Sequence, residues 1–177
     1  MKTSAKLLIT IFFTTFILHG CGYKNPYIKN IDLNERAATI YMTIWANQTN
    51  ELGLENLIFQ STADWLQQSR HLQITRNNDR ADYILTGKIT SVDYPATAFS
   101  TDDKASTLQA TVTTTYKLTD QASGKTIWKY DSTLESSYTA GSDAVNSQSS
   151  KKIALMSIAD DLGEQIYLSV TNTLTSE

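Results

Sequence analysis

The sequence STLQATVTTTYKLT (residues 106–119), followed by DQASGK (120–125) and TIWKYDSTLE (126–135), decides the fold class. In the first run, apolar residues alternate with polar ones: the apolar set is Leu108, Ala110, Val112, Tyr116 and Leu118. The third run alternates in the same way, with Trp128, Tyr130 and Leu134 on one face. Such alternation is typical of antiparallel strands with one buried face. The middle run has the Asp, Ser and Gly of a tight turn, so the whole stretch predicts a β-hairpin.

Three further segments flank this hairpin on its N-terminal side. Alternating apolar residues predict a strand containing Ile40, Met42 and Ile44, ended by the polar residues 47–50. A change to three- and four-residue spacing predicts an amphipathic helix from Glu51 to about Arg70, with Asn50 as its N-cap. Its predicted inner face comprises Leu54, Leu57, Ile58, Ser61, Trp65 and Leu66. Another strand follows, with Tyr83, Leu85, Gly87 and Ile89 on one face.

A second helix is predicted at the C-terminal end of the chain. Its apolar stripe comprises Ile153, Met156, Ala159, Gly163, Ile166, Tyr167, Val170 and Leu174. The polar residues 138–150 before it predict a flexible connection, and residues 95–106 predict a loop. The predicted order is β-α-β-β-β-α. We therefore expect a two-layer α+β domain: an antiparallel or mixed four-stranded sheet with both helices on one face.

The first 21 residues predict export and lipid attachment. A short basic segment precedes about twelve apolar residues, too few for a permanent membrane span and typical of a cleaved signal peptide. The end of this segment, Leu18-His19-Gly20-Cys21, resembles a lipobox, although His19 replaces its usual small residue. Cleavage between Gly20 and Cys21 would let Cys21 carry a diacylglycerol and an N-acyl chain such as palmitate, which suffices for stable anchoring. We expect a signal peptide (1–20), a lipidated tether (21–38) and a domain (39–177).

Charge and cysteine content exclude several classes of protein. Removal of Lys2 and Lys6 with the signal leaves 13 basic against 18 acidic residues, and the mature sequence has no basic run. Binding to nucleic acid is therefore not expected. Cys21 is the only cysteine, which excludes an intramolecular disulfide.

No constellation of catalytic residues is apparent. His71 is the only histidine of the mature chain, at the end of the first helix where a solvated role is expected. The acidic pairs Asp102-Asp103 and Asp160-Asp161 fall in a loop and on a polar helix side. Adjacent helical residues do not converge on one point, so the second pair is a poor acid–base couple. We expect no enzyme activity, no metal site and no cofactor apart from the covalent lipid.

The polar face of the predicted hairpin allows two interpretations. It presents Thr111, Thr113 and Thr115 from one strand and Lys129, Asp131, Thr133 and Glu135 from the other. An ordinary solvated sheet face would have this composition. So would a polar surface that packs inside a partner.

Several segments, in order, resemble the lipopolysaccharide-assembly lipoprotein (LptE, or RlpB-like) family of the Gram-negative envelope. They are Cys21-Gly22-Tyr23, the strand 40–45 with Asn47-Gln48-Thr49, Gly53-Leu54-Glu55, Ala81-Asp82-Tyr83 through Ile89, and the hairpin turn from Leu118 to Trp128. The resemblance implies a helix-covered sheet that plugs a large β-barrel translocon (LptD-like), assists its assembly and helps to deliver lipopolysaccharide to the cell surface. The polar threonine face would then meet the polar interior of the barrel.

The resemblance also implies a location and a set of basic contacts. Because Gly22 follows the cysteine in place of aspartate, sorting to the periplasmic side of the outer membrane is expected. Family members contact lipopolysaccharide through basic residues near one end of the sheet. The basic residues on or beside these strands are Lys88, Lys104 and Lys129.

A second resemblance remains open. The strand from Ala81 to Gly87 is also similar to periplasm-facing lipoproteins that activate a peptidoglycan synthase or act in a curli-type secretion machine. Such proteins dock on a soluble or inner-membrane partner, and recovery of that partner in place of a barrel would separate the two hypotheses. A structural lipoprotein with no machine to bind would copurify with neither.

Overall fold

The computed structural model describes residues 36–100, 105–140 and 143–175, which form one mixed β-sheet and two α-helices. The strands are β1 (Ala38–Met42), β2 (Ala46–Asn47), β3 (Leu72–Thr75), β4 (Tyr83–Asp93), β5 (Ala96–Phe99), β6 (Ala105–Asp120) and β7 (Thr126–Thr139). The helices are α1 (Leu54–Gln67) and α2 (Ala144–Thr175), with a short 3-10 turn at Asn78–Arg80. The predicted α+β class is confirmed. The predicted number of strands is wrong, because these residues contain seven strands where four were expected.

The sheet has the strand order β3-β1-β4-β6, with β4 and β5 paired to successive parts of β6. Strand β1 is parallel to both β3 and β4, whereas β4, β6 and β7 are antiparallel. The predicted hairpin is confirmed: Tyr116 of β6 lies opposite Tyr130 of β7. Its turn contains Gly124 at φ 67°, a left-handed conformation that glycine adopts without steric cost.

The first predicted strand is interrupted, and this corrects the prediction for Ile44. Strand β1 ends at Met42, and β2 resumes beside β4 at Ala46. The break leaves Ile44 62% exposed and turns Trp45 into the core at 2% exposure. Gly87 of β4 makes room for the indole, because any Cβ at this position would overlap it.

Both helices contribute to one apolar core on a single face of the sheet. Helix α1 buries Leu54, Ile58, Thr62 and Leu66, a regular four-residue spacing. The predicted N-cap at Asn50 is wrong, since the helix begins after Gly53, whose φ of 89° starts the first turn. Glu55 lies in that turn, where the helix dipole favours negative charge.

Helix α2 begins earlier than expected, and its buried face is shifted from the predicted one: Ala159, Ile166 and Val170 are buried as predicted, whereas Ile153 and Met156 are not. The predicted connection at residues 138–150 is wrong, because β7 continues to Thr139 and α2 begins at Ala144. The Asp143 carboxylate accepts a hydrogen bond from the Asn146 backbone N–H at 2.8 Å and thereby caps the helix. Ile153 and Met156 are 68% and 49% exposed, so their predicted burial is also wrong. The buried stripe comprises Ala154, Leu155, Ile158, Ala159, Leu162, Ile166 and Val170.

A cluster of three side chains ties α2 to the sheet and to the segment before α1. The Lys151 Nζ lies 2.6 Å from a Glu51 carboxylate oxygen and 4.4 Å from the centre of the Tyr94 ring. The same Glu51 oxygen accepts a hydrogen bond from the Tyr94 hydroxyl at 2.5 Å. Burial, followed by the bond to Glu51, raises the pKa of Tyr94 far above its ordinary value. The hydroxyl is therefore a donor at every physiological pH.

In the part of the chain that the structure describes, neither helix has an apolar stretch long enough to cross a bilayer.

Candidate partner-binding face of the sheet

The sheet face opposite the helices is polar along its central strands. On β6 this face comprises Thr107, Gln109, Thr111, Thr113, Thr115, Lys117 and Thr119, which alternate with the buried residues 110, 112, 114, 116 and 118. On β7 it comprises Ile127, Lys129, Asp131, Thr133, Glu135, Ser137 and Thr139, and β4 adds Ile84, Thr86, Lys88, Ser91 and Asp93. We call this set the polar face. It is accessible across three neighbouring strands.

Hydrogen bonds between β6 and β7 link side chains across the polar face. Thr113 and Thr133 lie opposite each other with their hydroxyl oxygens 3.3 Å apart. The Thr115 hydroxyl donates to the Asp131 carboxylate at 2.5 Å. The Gln109 side-chain amide donates to Glu135 at 2.6 Å. These cross-strand pairs fix the side-chain positions, so the face is a preordered polar surface.

Charge is divided between the two ends of the polar face. Lys117 lies directly opposite Lys129, and Lys88 is opposite Thr115 in the adjacent row. Asp93 and Glu135 both lie opposite Thr111, six residues away along β6. At about 3.4 Å per residue, the basic and acidic ends are roughly 20 Å apart.

The structure brings together part of the predicted site. Thr111, Thr113 and Thr115 lie together in the centre of the polar face. Lys88 and Lys129 converge at its basic end. Cys21, the Gly20 cleavage position and Lys104 lie outside the described residues, as do Asp102 and Asp103. Sequence reasoning did not select Lys117, although its parity and its position in a tight hairpin place it opposite Lys129.

Asp82, in the Ala81-Asp82-Tyr83 motif, has a structural role. Its carboxylate accepts hydrogen bonds from the Thr39 hydroxyl at 2.6 Å and from the Thr39 backbone N–H at 2.7 Å. Arg36 binds both oxygens of the same carboxylate, at 2.7 and 3.0 Å. These contacts, led by the Thr39 hydroxyl, lower the pKa of Asp82. Asp82 therefore joins the start of β1 to the start of β4 at one end of the sheet.

The other residues considered for chemistry are separated in the structure. His71 lies between α1 and β3, where its backbone carbonyl accepts a hydrogen bond from Ala38. Asp160 accepts a hydrogen bond at 2.8 Å from the Trp65 indole, which joins α2 to α1. Within residues 36–100, 105–140 and 143–175, no three His, Cys, Asp or Glu side chains are grouped so as to hold a metal ion.

The sequence matches a known family along most of this domain. The family model described as LptE, lipopolysaccharide-assembly, matches residues 37–170. The chain belongs to the LptE family. The matched region includes α1, α2 as far as Val170, all the described strands and the whole polar face. No curated protein sequence matches the chain significantly.

Solved structures share the fold of this LptE family member at low sequence identity. One is the rare lipoprotein B from Shewanella oneidensis: TM-score 0.54, 10% identity, and coverage of 78% of this chain and 97% of that one. Another is a candidate lipoprotein from Caulobacter crescentus: TM-score 0.56, 14% identity, 78% and 92% coverage. A dodecameric PelC variant from Paraburkholderia phytofirmans has a TM-score of 0.50 at 18% identity, covering 75% and 87%. At these identities, the similarity shows a common fold.

Proposed function

We propose that this protein is an outer-membrane lipoprotein that assists assembly of the β-barrel lipopolysaccharide translocon (LptD-like) and plugs its lumen. In this role its polar face meets the inner wall of the barrel. Membership in the LptE family supports a role in lipopolysaccharide assembly. The role is one of binding and positioning, without catalysis.

One observation carries the plug hypothesis: the polar face is continuous, preordered and almost free of apolar side chains. All seven of its residues on β6 are polar, and the hydroxyls of Thr113 and Thr133 meet across the strands. Large membrane barrels have polar interiors, because their lipid-facing and lumen-facing residues alternate. Threonine hydroxyls can donate and accept, so they can satisfy polar groups of either kind on such a wall.

The basic end of the polar face suggests where lipopolysaccharide binds. Lys117 and Lys129 are a directly opposed pair of like charges, an arrangement that destabilises a sheet unless an anion lies between them. Lys88 is in the neighbouring row on β4. We propose that these three lysines contact the phosphates of lipopolysaccharide. Asp131 lies beside them, keeps its negative charge and accepts a hydrogen bond from the Thr115 hydroxyl.

Membrane attachment is proposed to occur through Cys21 after removal of residues 1–20. The test is mass spectrometry of the N-terminal peptide from the purified protein. A mass that includes a diacylglycerol and an acyl chain on Cys21 supports the proposal. An unmodified thiol, or an intact segment 1–20, contradicts it.

The plug hypothesis is tested by purification from native membranes in mild detergent, combined with photocrosslinking from defined positions. A crosslinker at Thr113 probes the centre of the polar face, and one at Ser157, exposed on α2, is the matched control. Recovery of a large β-barrel that crosslinks to position 113 and not to position 157 supports the proposal. Recovery of a peptidoglycan synthase or a curli-type secretion subunit would contradict it and favour the alternative.

A further inference from the structure

Strand β7 leaves one long edge of the sheet unpaired. Among the described residues it pairs with β6 on one side and with no strand on the other. It is 14 residues long and contains no proline, and its pairing with β6 is regular from Trp128 to Thr139. Proteins usually protect an edge by shortness, proline or a bulge. The pairing of β7 with β6 is irregular at Ile127, beside the turn. Along the rest of β7 the features available to control pairing are the charged side chains on the polar face.

The charges of β7 discriminate between the two longest antiparallel registers that keep the helices of both copies on the same side of the joined sheet. Antiparallel pairing centred on Ser132 overlaps residues 126–138, and pairing centred on Thr133 overlaps residues 127–139. In the register centred on Ser132, Lys129 of each copy lies opposite Glu135 of the other copy. In the register centred on Thr133, Asp131 of each copy lies opposite Glu135 of the other copy. Opposite charges stabilise a directly facing pair and like charges destabilise it, so the first register is favoured.

Apolar contacts on the other face of β7 favour the same register. Tyr130 points to the side of the sheet covered by α2, yet it is 47% exposed because no further strand flanks it. In the register centred on Ser132, Tyr130 faces Leu134 of the second strand. This pair recurs through the twofold axis. The exposed aromatic surface is thereby covered.

Shorter registers are less favourable. In the register centred on Asp131, the Asp131 carboxylates of the two copies face each other. Centring on Tyr130 places Lys129 opposite Asp131, but it pairs only residues 126–134 of each strand.

We propose that β7 pairs with β7 of a second copy of this chain, antiparallel and centred on Ser132, to form a continuous sheet across a twofold axis. The interface is self-complementary, as a twofold requires. About a dozen backbone hydrogen bonds would form, since alternate facing residues exchange two bonds each. This proposal does not rest on the translocon, because it concerns the edge of the sheet, although Lys129 and Glu135 also belong to the polar face.

The test uses the full chain, with two differently tagged copies expressed in the same cells and purified through one tag in mild detergent. Wild-type protein should recover the second tag. Lys129→Glu, present in both copies, should reduce that recovery by about fivefold or more, because two opposite-charge contacts become like-charge contacts. Glu135→Lys in both copies should have the same effect.

Mixing the two variants makes the test specific for the register. When one copy carries Lys129→Glu and the other Glu135→Lys, every facing pair is again of opposite charge, and recovery should return. The register centred on Tyr130 does not include Glu135, so it predicts that Glu135→Lys has no effect and that the mixed pair recovers only part of the loss caused by Lys129→Glu. The matched control is Lys88→Glu, which reverses a charge two strands inside the edge, on β4, and should leave recovery unchanged. This control also separates self-pairing from bridging by lipopolysaccharide, which Lys88→Glu would weaken.

Three outcomes would overturn the proposal. They are failure of the wild-type copies to copurify, recovery that is indifferent to Lys129→Glu and Glu135→Lys, and failure of the mixed pair to restore recovery. Copurification of a β-barrel with the second tag absent would assign the edge to that partner. Recovery by the mixed pair also shows that each variant folds.

Discussion

Gly87 of β4 lies against the indole of Trp45, and a Cβ at Gly87 would be 2.3 Å from two carbons of that ring. The Trp45 ring also packs against Tyr116, with the ring centres 5.9 Å apart. The contact therefore joins the break between β1 and β2 to the centre of the sheet. The contact requires glycine at position 87 and the large indole side chain at position 45.

Gly87→Ala should destabilise the protein by about 1–3 kcal/mol, because the added methyl group overpacks the Trp45 pocket. The free energy of unfolding in urea measures this. Thr86→Ala, on the opposite face of the same strand, is the matched control and should cost much less. Adding Trp45→Phe to Gly87→Ala should cost less than the sum of the two single changes, since the smaller ring relieves the clash. Strict additivity would contradict this account.

Asp160→Ala should cost about 1 kcal/mol of stability, because it removes the acceptor of the Trp65 indole N–H. The neighbouring Asp161→Ala makes the same chemical change at an exposed position and is the control. Urea unfolding of the two variants gives the comparison. Equal stabilities would show that the bond between the helices contributes nothing.

Asp82→Asn should remove a stabilising effect that depends on pH. The folded-state pKa of Asp82 is below the ordinary value for an aspartate, about 4, so ionised Asp82 stabilises the fold above about pH 4. That contribution is lost as the pH falls through the folded-state pKa. The difference in urea midpoint between wild type and Asp82→Asn should therefore be constant from pH 7 to pH 5 and smaller at pH 3. Asp79→Asn, on the exposed 3-10 turn, is the matched control.

Lys151→Ala should destabilise the protein by about 1–2 kcal/mol, through loss of the ion pair with Glu51 and the contact with the Tyr94 ring. Both charged side chains are largely buried, so this loss should persist at high salt. Lys152→Ala, one residue further along α2, is exposed and serves as the control. If the two substitutions have the same effect on the thermal midpoint, the cluster is not stabilising.

Lys117→Gln should weaken binding of purified lipopolysaccharide by about fivefold, as expected for the loss of one lysine near an anionic surface. Binding by the wild type should decrease with ionic strength. Lys152→Gln removes the same charge from the helical layer and should leave binding unchanged. Retention of lipopolysaccharide on immobilised protein measures binding by the wild type, Lys117→Gln and Lys152→Gln. An equal loss for both variants would show that net charge matters and the basic end of the polar face does not.

Local patterns predicted the elements whose contacts are close in sequence. The hairpin of β6 and β7 was predicted because its alternation and its turn lie within one segment. The break before Trp45 was not predictable in this way, because both Ile44 and Trp45 are apolar and the space for the indole comes from Gly87, over forty residues away. The short strands β3 and β5 form by pairing with β1 and β6, and their own sequences are too brief to indicate this.

The start of helix α2 and the grouping of the lysines also depend on contacts that local sequence patterns do not indicate. The Ser- and Asn-rich start of α2 has weak helical preference, but Asp143 caps it and the core holds its next turns. Ile153 and Met156 are apolar residues left on the outer side. Convergence of Lys88 with Lys117 and Lys129 depends on the register between β4 and β6, which fixes which residues are neighbours.

The position of α2 in the chain affects how this protein is made. Ile158, Leu162, Ile166 and Val170 all have no exposed surface in the folded protein, and they follow all the described strands along the chain. A nascent chain that ends before them has these strands but only α1 to cover part of their apolar side. Much apolar surface of the sheet then stays in contact with water, so the partial chain is less stable than the complete domain. Folding should therefore be completed only after α2 has been synthesised.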